Sequence, residues 1–378
     1  MFDFVEPIAK EFYNECIARN PNLPNNVAFF GLDTSEIESY KIALVGVEDN
    51  LGNDNNQGTE LAPNKVRQQL YTYTSFYNDT KIIDLGNIKK GNTCQDTLVA
   101  LKDITKTAIK QNIILIIIGG DLDLLQAQYN AYEILENEIQ ISQIGANMTA
   151  NPEEGKLEES YLYNIFNTNY LKKYNLIAYQ SYFIQKDIST IVHNYQFDSL
   201  RVGKIRENVF EAEPFIREAN LAVFDIQAIR FSDAPGQVAP SPNGLFGDEA
   251  CMLARFAGMS DILSSFGIYN YNPTEDIKNV TAHQVAQMVW YFIEGVNLRR
   301  MDYPILNEQE FYHFTVYVEE EAFTFLKSKK TERWWMKISV NRGERTVAHL
   351  IPCIYNDYKI AKEGEIPEAW MRNLIRLQ

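Results

Sequence analysis

Along most of the chain, short apolar blocks alternate with amphipathic stretches. The run at 41–47 predicts a core strand and that at 113–118, apolar throughout, a fully buried one, while 81–85 predicts a short strand. Further strands are predicted near 139–144, 176–179, 200–202, 221–224 and 262–268. Between them the period lengthens to that of a helix. Thr93 is placed to cap a helix reaching about residue 111, with Leu98, Leu101, Ile104, Ala108 and Ile109 on one face. A second helix is predicted over 124–135. A third, from 281 to about 298, carries Val285, Met288, Val289, Phe292, Ile293 and Val296 as its stripe. Pro63 suits the first turn of another. Strand, helix, strand at this regularity predicts an α/β fold of three layers, α/β/α, around a mainly parallel sheet.

The two ends break this rhythm. Residues 1–40, with Asn-Pro and Pro-Asn-Asn turns near position 22, predict an irregular lead-in holding one amphipathic helix near 6–19. The regular part is expected to span 41–304. Over 305–378, strands are predicted at 314–318, 334–340 and 347–352, joined by charged turns at 319–321 and 327–330. This segment is expected to be a small antiparallel addition packed on the main sheet. Its aromatics, Trp334, Trp335, Tyr355, Tyr358 and Trp370, are expected to pack against the core, the alternative being a stacking surface for a ligand.

Composition narrows the function classes. With 50 acidic against 35 basic residues the net charge is −15, which argues against a nucleic-acid partner, since that affinity comes from clustered Lys and Arg. No apolar run approaches the roughly 20 residues of a membrane span, and the first residues lack the layout of a signal peptide. The expected location is the cytoplasm. Cys16, Cys94, Cys251 and Cys353 share no paired spacing, as fits free thiols. His193, His283, His313 and His349 share no ligand spacing, and no phosphate-binding or dinucleotide-binding glycine pattern occurs.

The candidate chemistry centres on residues 221–245, LAVFDIQAIRFSDAPGQVAPSPNGL. A short buried strand delivers Asp225 to its carboxyl end, the edge at which open α/β sheets hold ligands. A carboxylate there either belongs to a site or simply caps the loop that follows. The loop residues Ala234, Pro235, Gly236, Ala239, Pro240, Ser241, Pro242, Gly244 and Leu245, with the strand-end turn Gly119-Gly120-Asp121, resemble the ureohydrolase family of arginases, agmatinases and formimidoylglutamases, and its formimidoylglutamase branch most closely.

The resemblance covers about residues 41–298 and implies an arginase-like fold. In an active member it further implies hydrolysis of a guanidino or formimino carbon by hydroxide bridging two Mn²⁺ ions. By the same resemblance, six metal-ligand positions fall at Leu122, Gly145, Asn147, Thr149, Asp225 and Gln227, and only Asp225 keeps its donor. No histidine precedes His193, so no shift of register restores the imidazole of the motif at 145–149. The acid that the family places before an Asn-Pro pair falls at Asn270.

These departures predict a binding or scaffolding protein that has lost its dimanganese centre, with no cofactor, no metal ligands and no catalytic residues. A residual cleft of Asp121, Asn147, Asp225, Gln227 and Asn270 would take a small cationic or amide-bearing ligand, or the chain would act on a protein partner, with a homo-oligomer compatible with either. The alternative is an active, manganese-dependent hydrolase of linear amidines whose ligands lie elsewhere.

Overall fold

The computed structural model describes residues 4–51, 53, 56–73, 80–148, 161–166, 168–184, 197–304, 308–319, 321–342 and 345–377. Its strands, in chain order, are β1 (Val5–Glu6), β2 (Val27–Phe29), β3 (Ile42–Glu48), β4 (Ile82–Lys89), β5 (Ile114–Ile118), β6 (Ile139–Ile144), β7 (Leu171–Tyr179), β8 (Phe197–Arg201), β9 (Leu221–Asp225), β10 (Ser265–Tyr269) and β11 to β14 (Phe311–Val318, Glu321–Ser328, Trp334–Arg342, Arg345–Cys353). Among the described residues ten strands form one sheet in the order β1-β4-β3-β5-β10-β9-β6-β7-β8, with β2 pairing β4 off that path. Every pairing is parallel except that of β1 with β4.

The sheet is parallel because its central strands are apolar on both sides and each face must be covered. All five residues of β5, β9 and β10 are buried. One face packs under the helices Ala62–Leu70, Gly247–Met259 and Val280–Asn297. The other packs under Cys94–Lys110 and Leu125–Ile134. Thr93 caps the first of the latter pair reciprocally, its side chain accepting from Asp96 N while the Asp96 carboxylate accepts from Thr93 N. The α/β/α layering read from the sequence is therefore present. No helix among the described residues is long and apolar enough to cross a membrane.

The two ends differ from expectation in detail. The lead-in contributes β2 to the parallel sheet and β1 to its antiparallel edge, besides the helix Lys10–Arg19. Two- and three-residue strands carry too little periodicity to be read in advance. The carboxyl-terminal segment is a four-stranded antiparallel meander, β11-β12-β13-β14, followed by the helices Tyr355–Lys362 and Glu368–Leu377. β12 escaped the sequence reading because charged residues at both its ends read as turns. The helix Gly247–Met259 escaped it because it begins directly after the proline-rich loop.

Buried ion pairs seat the meander. Arg217 Nη1 donates to Trp334 O (2.6 Å), and its guanidinium lies 4.6 Å from the Trp335 ring centroid. Glu213 pairs with both Arg217 and Arg333. At the far end of the sheet Asp198 gathers Lys173, Arg372 and Arg376, so the last helix is held against β8.

Candidate functional site

The carboxyl ends of β5, β10, β9 and β6 lie side by side, so the turns after them at 119–124, 270–272, 225–228 and 145–148 share one edge of the sheet. The chain thus brings to one place the stretches that the sequence singled out separately. Glycine is required at the first turn. Gly119 and Gly120 have φ of +97° and +79°, and a Cβ on Gly119 would stand 2.8 Å from Pro63 Cδ.

Three of the five expected cleft residues form one hydrogen-bonded network. Asp121 Oδ1 accepts the N–H of Asp123 (3.4 Å), and its Oδ2 accepts amide protons from Asn53 (2.7 Å) and Asn56 (3.4 Å). The Asn56 amide also donates to Asn270 Oδ1 (3.2 Å), and Asn270 Nδ2 donates to Asp225 Oδ1 (3.0 Å). Asn270 adopts φ +65°, a left-handed conformation that Asn tolerates better than most residues, and its N–H donates to Gly120 O (3.0 Å). Asn272 closes the network by donating to Asn56 Oδ1 (3.5 Å) and Gln57 O (2.7 Å).

Asp225 performs the capping role left open above, with Oδ1 accepting from Gln227 N (3.0 Å) at the start of a 3-10 turn. Both of its donors fall on Oδ1, so Oδ2 has no hydrogen-bond partner among the described residues. Burial pushes the Asp225 carboxyl up to about 6, and the negative charge of Asp121 adds to that; the bonds from Gln227 and Asn270 act the other way.

The other expected cleft residues lie on the same edge but join the network differently or not at all. Gln227 contributes its backbone N–H. Asn147 contributes its carbonyl, which accepts from Gln143 Nε2 (3.3 Å). No side-chain hydrogen bond from either reaches the network among the described residues. Leu122 is 4% exposed and belongs to an apolar cluster with Leu124 and Leu125. A Cβ on Gly145 would approach the buried Gln143 Nε2 to 2.9 Å. Thr149 lies outside the described residues.

Sequence reasoning missed Asn53 and Asn56, and it noted Asn272 only as part of an Asn-Pro pair. The signal for the first two was the polar, Asn-rich run directly after the apolar strand β3.

The proline-rich loop shapes the rim. Gln237 Nε2 donates to Ile229 O (3.0 Å) and Ala234 O (2.6 Å). Gly236 N donates to Thr281 Oγ1 (2.7 Å), and Gly236 O accepts from Asn272 N (2.9 Å). The loop is therefore bolted to the helix Val280–Asn297 and to the turn that carries Asn270.

Known proteins share both the sequence and the architecture. The Arginase family model matches residues 40–294. A formimidoylglutamase of Staphylococcus haemolyticus is 26% identical over 288 residues, covering 71% of this chain and 91% of that protein. One of Staphylococcus epidermidis is 26% identical over 275 residues, covering 68% and 87%. Among solved structures, a Trypanosoma cruzi formiminoglutamase with Mn²⁺ superposes with a TM-score of 0.65 at 17% identity, covering 71% of this chain and 97% of that one. The formimidoylglutamase of Bacillus subtilis gives 0.63 at 16% identity, covering 73% and 92%. The structural likenesses speak for the fold; with the sequence match over two thirds of its length, the chain belongs to the arginase family.

Proposed function

We propose that this chain works without a dimanganese centre, binding a small cationic or amide-bearing molecule at the sheet edge instead of hydrolysing it. The reading rests on the donor set. Two divalent ions about 3.5 Å apart repel by on the order of 20 kcal/mol at an effective dielectric of about 20, and an active site offsets this with several carboxylates and imidazoles. Here the expected ligand positions hold a core leucine, a glycine, two amides, a threonine and a single carboxylate, Asp225. Among the described residues no group of three or more His, Cys, Asp or Glu gathers as a metal site would require. Among the described residues the donors do not fit the manganese pair, so no hydrolytic step is derived through it.

What remains suits a hydrogen-bond donor. Asp225 Oδ2 has no hydrogen-bond partner among the described residues, and the amides of Asn56, Asn270 and Asn272 hold the surrounding edge in place. An ammonium, guanidinium or primary amide would satisfy that oxygen, and charge assistance would favour the cations. Location in the cytoplasm belongs to the same reading.

Calorimetric titration with arginine, agmatine and formiminoglutamate tests the ligand class; flat heats for all three would reject a small-molecule role and leave a protein partner. A second reading, an active amidine hydrolase, draws on the match to formimidoylglutamases over 91% of a relative's length. Elemental analysis after purification in Mn²⁺ separates the two. About two manganese ions per chain, with urea, ammonia or formamide released from substrate, would overturn the first reading.

A further inference from the structure

Away from the sheet edge, a cleft of about 880 Å³ runs along the seam between the arginase-like core and the carboxyl-terminal meander. Its charge is opposite to that of the whole molecule. Five cationic side chains, Arg217, Arg255, Lys327, Arg333 and Lys359, line it against two carboxylates, Glu213 and Glu332, in a chain of net charge −15. Internal pairing leaves part of this charge unmet. Glu213 faces both Arg217 and Arg333, all three side chains being buried, and Arg333 also reaches Asp261 (4.0 Å). Lys327 pairs with Glu332 (3.0 Å), and Arg255 with Glu294 (2.6 Å). Lys359 is exposed and makes no ion pair among the described residues.

The walls are aromatic on both sides of the seam. From the core come Phe210 and Phe256, with ring centroids 5.6 Å apart; from the meander side come Trp334 and Tyr355, 5.4 Å apart. Phe210 and Tyr355 are each more than half exposed, although rings of this size are normally covered. Cavities of this volume at the junction of two packed units accept drug-sized ligands, with apolar walls for area and a few charges for orientation.

We propose that this seam cleft binds an anion carried on a flat aromatic ring, of the class of aryl and nucleoside phosphates. The ring would lie among Phe210, Trp334 and Tyr355, and the anion would meet Lys359 and the guanidinium pair that shares Glu213. The inference is independent of the sheet-edge reading, because none of the edge residues lines this cleft.

Isothermal titration of the full chain with adenosine monophosphate and with phenyl phosphate tests it, with adenosine and inorganic phosphate as half-ligands. Both aromatic phosphates are expected to bind with one-to-one stoichiometry and to weaken as salt rises, and each half-ligand is expected to be at least tenfold weaker. Lys359→Glu and Tyr355→Ala, both at exposed positions, are expected to keep the wild-type melting temperature and to weaken the aromatic phosphates at least fivefold. Asp225→Asn is expected to leave this binding unchanged. Absence of heat with both aromatic phosphates, or equal affinity for inorganic phosphate alone, overturns the proposal. So does binding that survives both cleft substitutions.

Discussion

Asp225 is the residue at which the competing roles of the sheet edge meet. It caps a turn, accepts an amide and stays buried, and burial raises its pKa to about 6. A carboxyl whose folded pKa lies above its unfolded one, near 4, contributes stability that is fully present below the unfolded value and lost as pH rises through about 6. Wild-type stability in urea is therefore expected to fall between about pH 4 and pH 6. Asp225→Asn should flatten that slope and gain on the order of 1–3 kcal/mol at pH 7.5. An unchanged slope would show that another group carries the titration. Leu122 gives the opposite case. It packs in an apolar cluster, so restoring a family-like imidazole with Leu122→His is expected to lower stability by about 2–4 kcal/mol, read from the shift in urea midpoint. At this scale Asp121, Asp225 and Asn270 were legible, because strand-end motifs announce themselves locally. Asn53 and Asn56 were not, since their place beside Asp121 depends on a loop that closes over the sheet edge from some 65 residues upstream.

Among the elements, the last helix and the meander are held by charges that sequence spacing does not reveal. Asp198 is almost fully buried, which by itself would raise its pKa, but the hydrogen bonds from Arg376 and the charges of Lys173 and Arg372 hold it below the ordinary carboxylate range. Glu213 is likewise lowered by Arg217 and Arg333 against its burial. Depressed carboxylates contribute stability that is present above their unfolded pKa and lost as pH falls through the folded one. The meander is therefore expected to loosen from the core below about pH 4, in the acid limb of such a linkage. Tryptophan fluorescence reports this directly, because Trp334, Trp335 and Trp370 lie in that segment and only Trp290 lies in the core. Asp198→Ala leaves three cations facing one another and is expected to cost about 3–5 kcal/mol, with the acid transition moved to higher pH. Long, strongly periodic elements such as Cys94–Lys110 and Val280–Asn297 were readable in advance. β12 and the last two helices were not, because their charged flanks imitate turns and their apolar faces make sense only once packed.

For the whole molecule, the question is whether the arginase-like part stands alone. Arg217 spans the seam, donating to Trp334 O and Cys353 O, so deleting residues 305–378 strips a buried guanidinium of its backbone partners and uncovers the aromatic seam. Calorimetry of the full chain is expected to show one cooperative transition, and the truncated chain to melt lower and to self-associate. Two separated transitions in the full chain would show the meander to be an independent unit. Hydrophobic periodicity by itself determined that the chain is a layered α/β protein with a parallel sheet, since doubly buried strands and amphipathic helices permit few other arrangements. The identity of residues such as Leu122 and Gly145 was equally plain from the sequence, because side-chain chemistry needs no coordinates. Only the tertiary structure decided that four distant strand ends share one edge, that amides link Asp121 to Asp225 there, and that a cationic aromatic cleft opens along the meander. Those are juxtapositions of segments far apart in the chain, set by packing and strand order rather than by any local pattern.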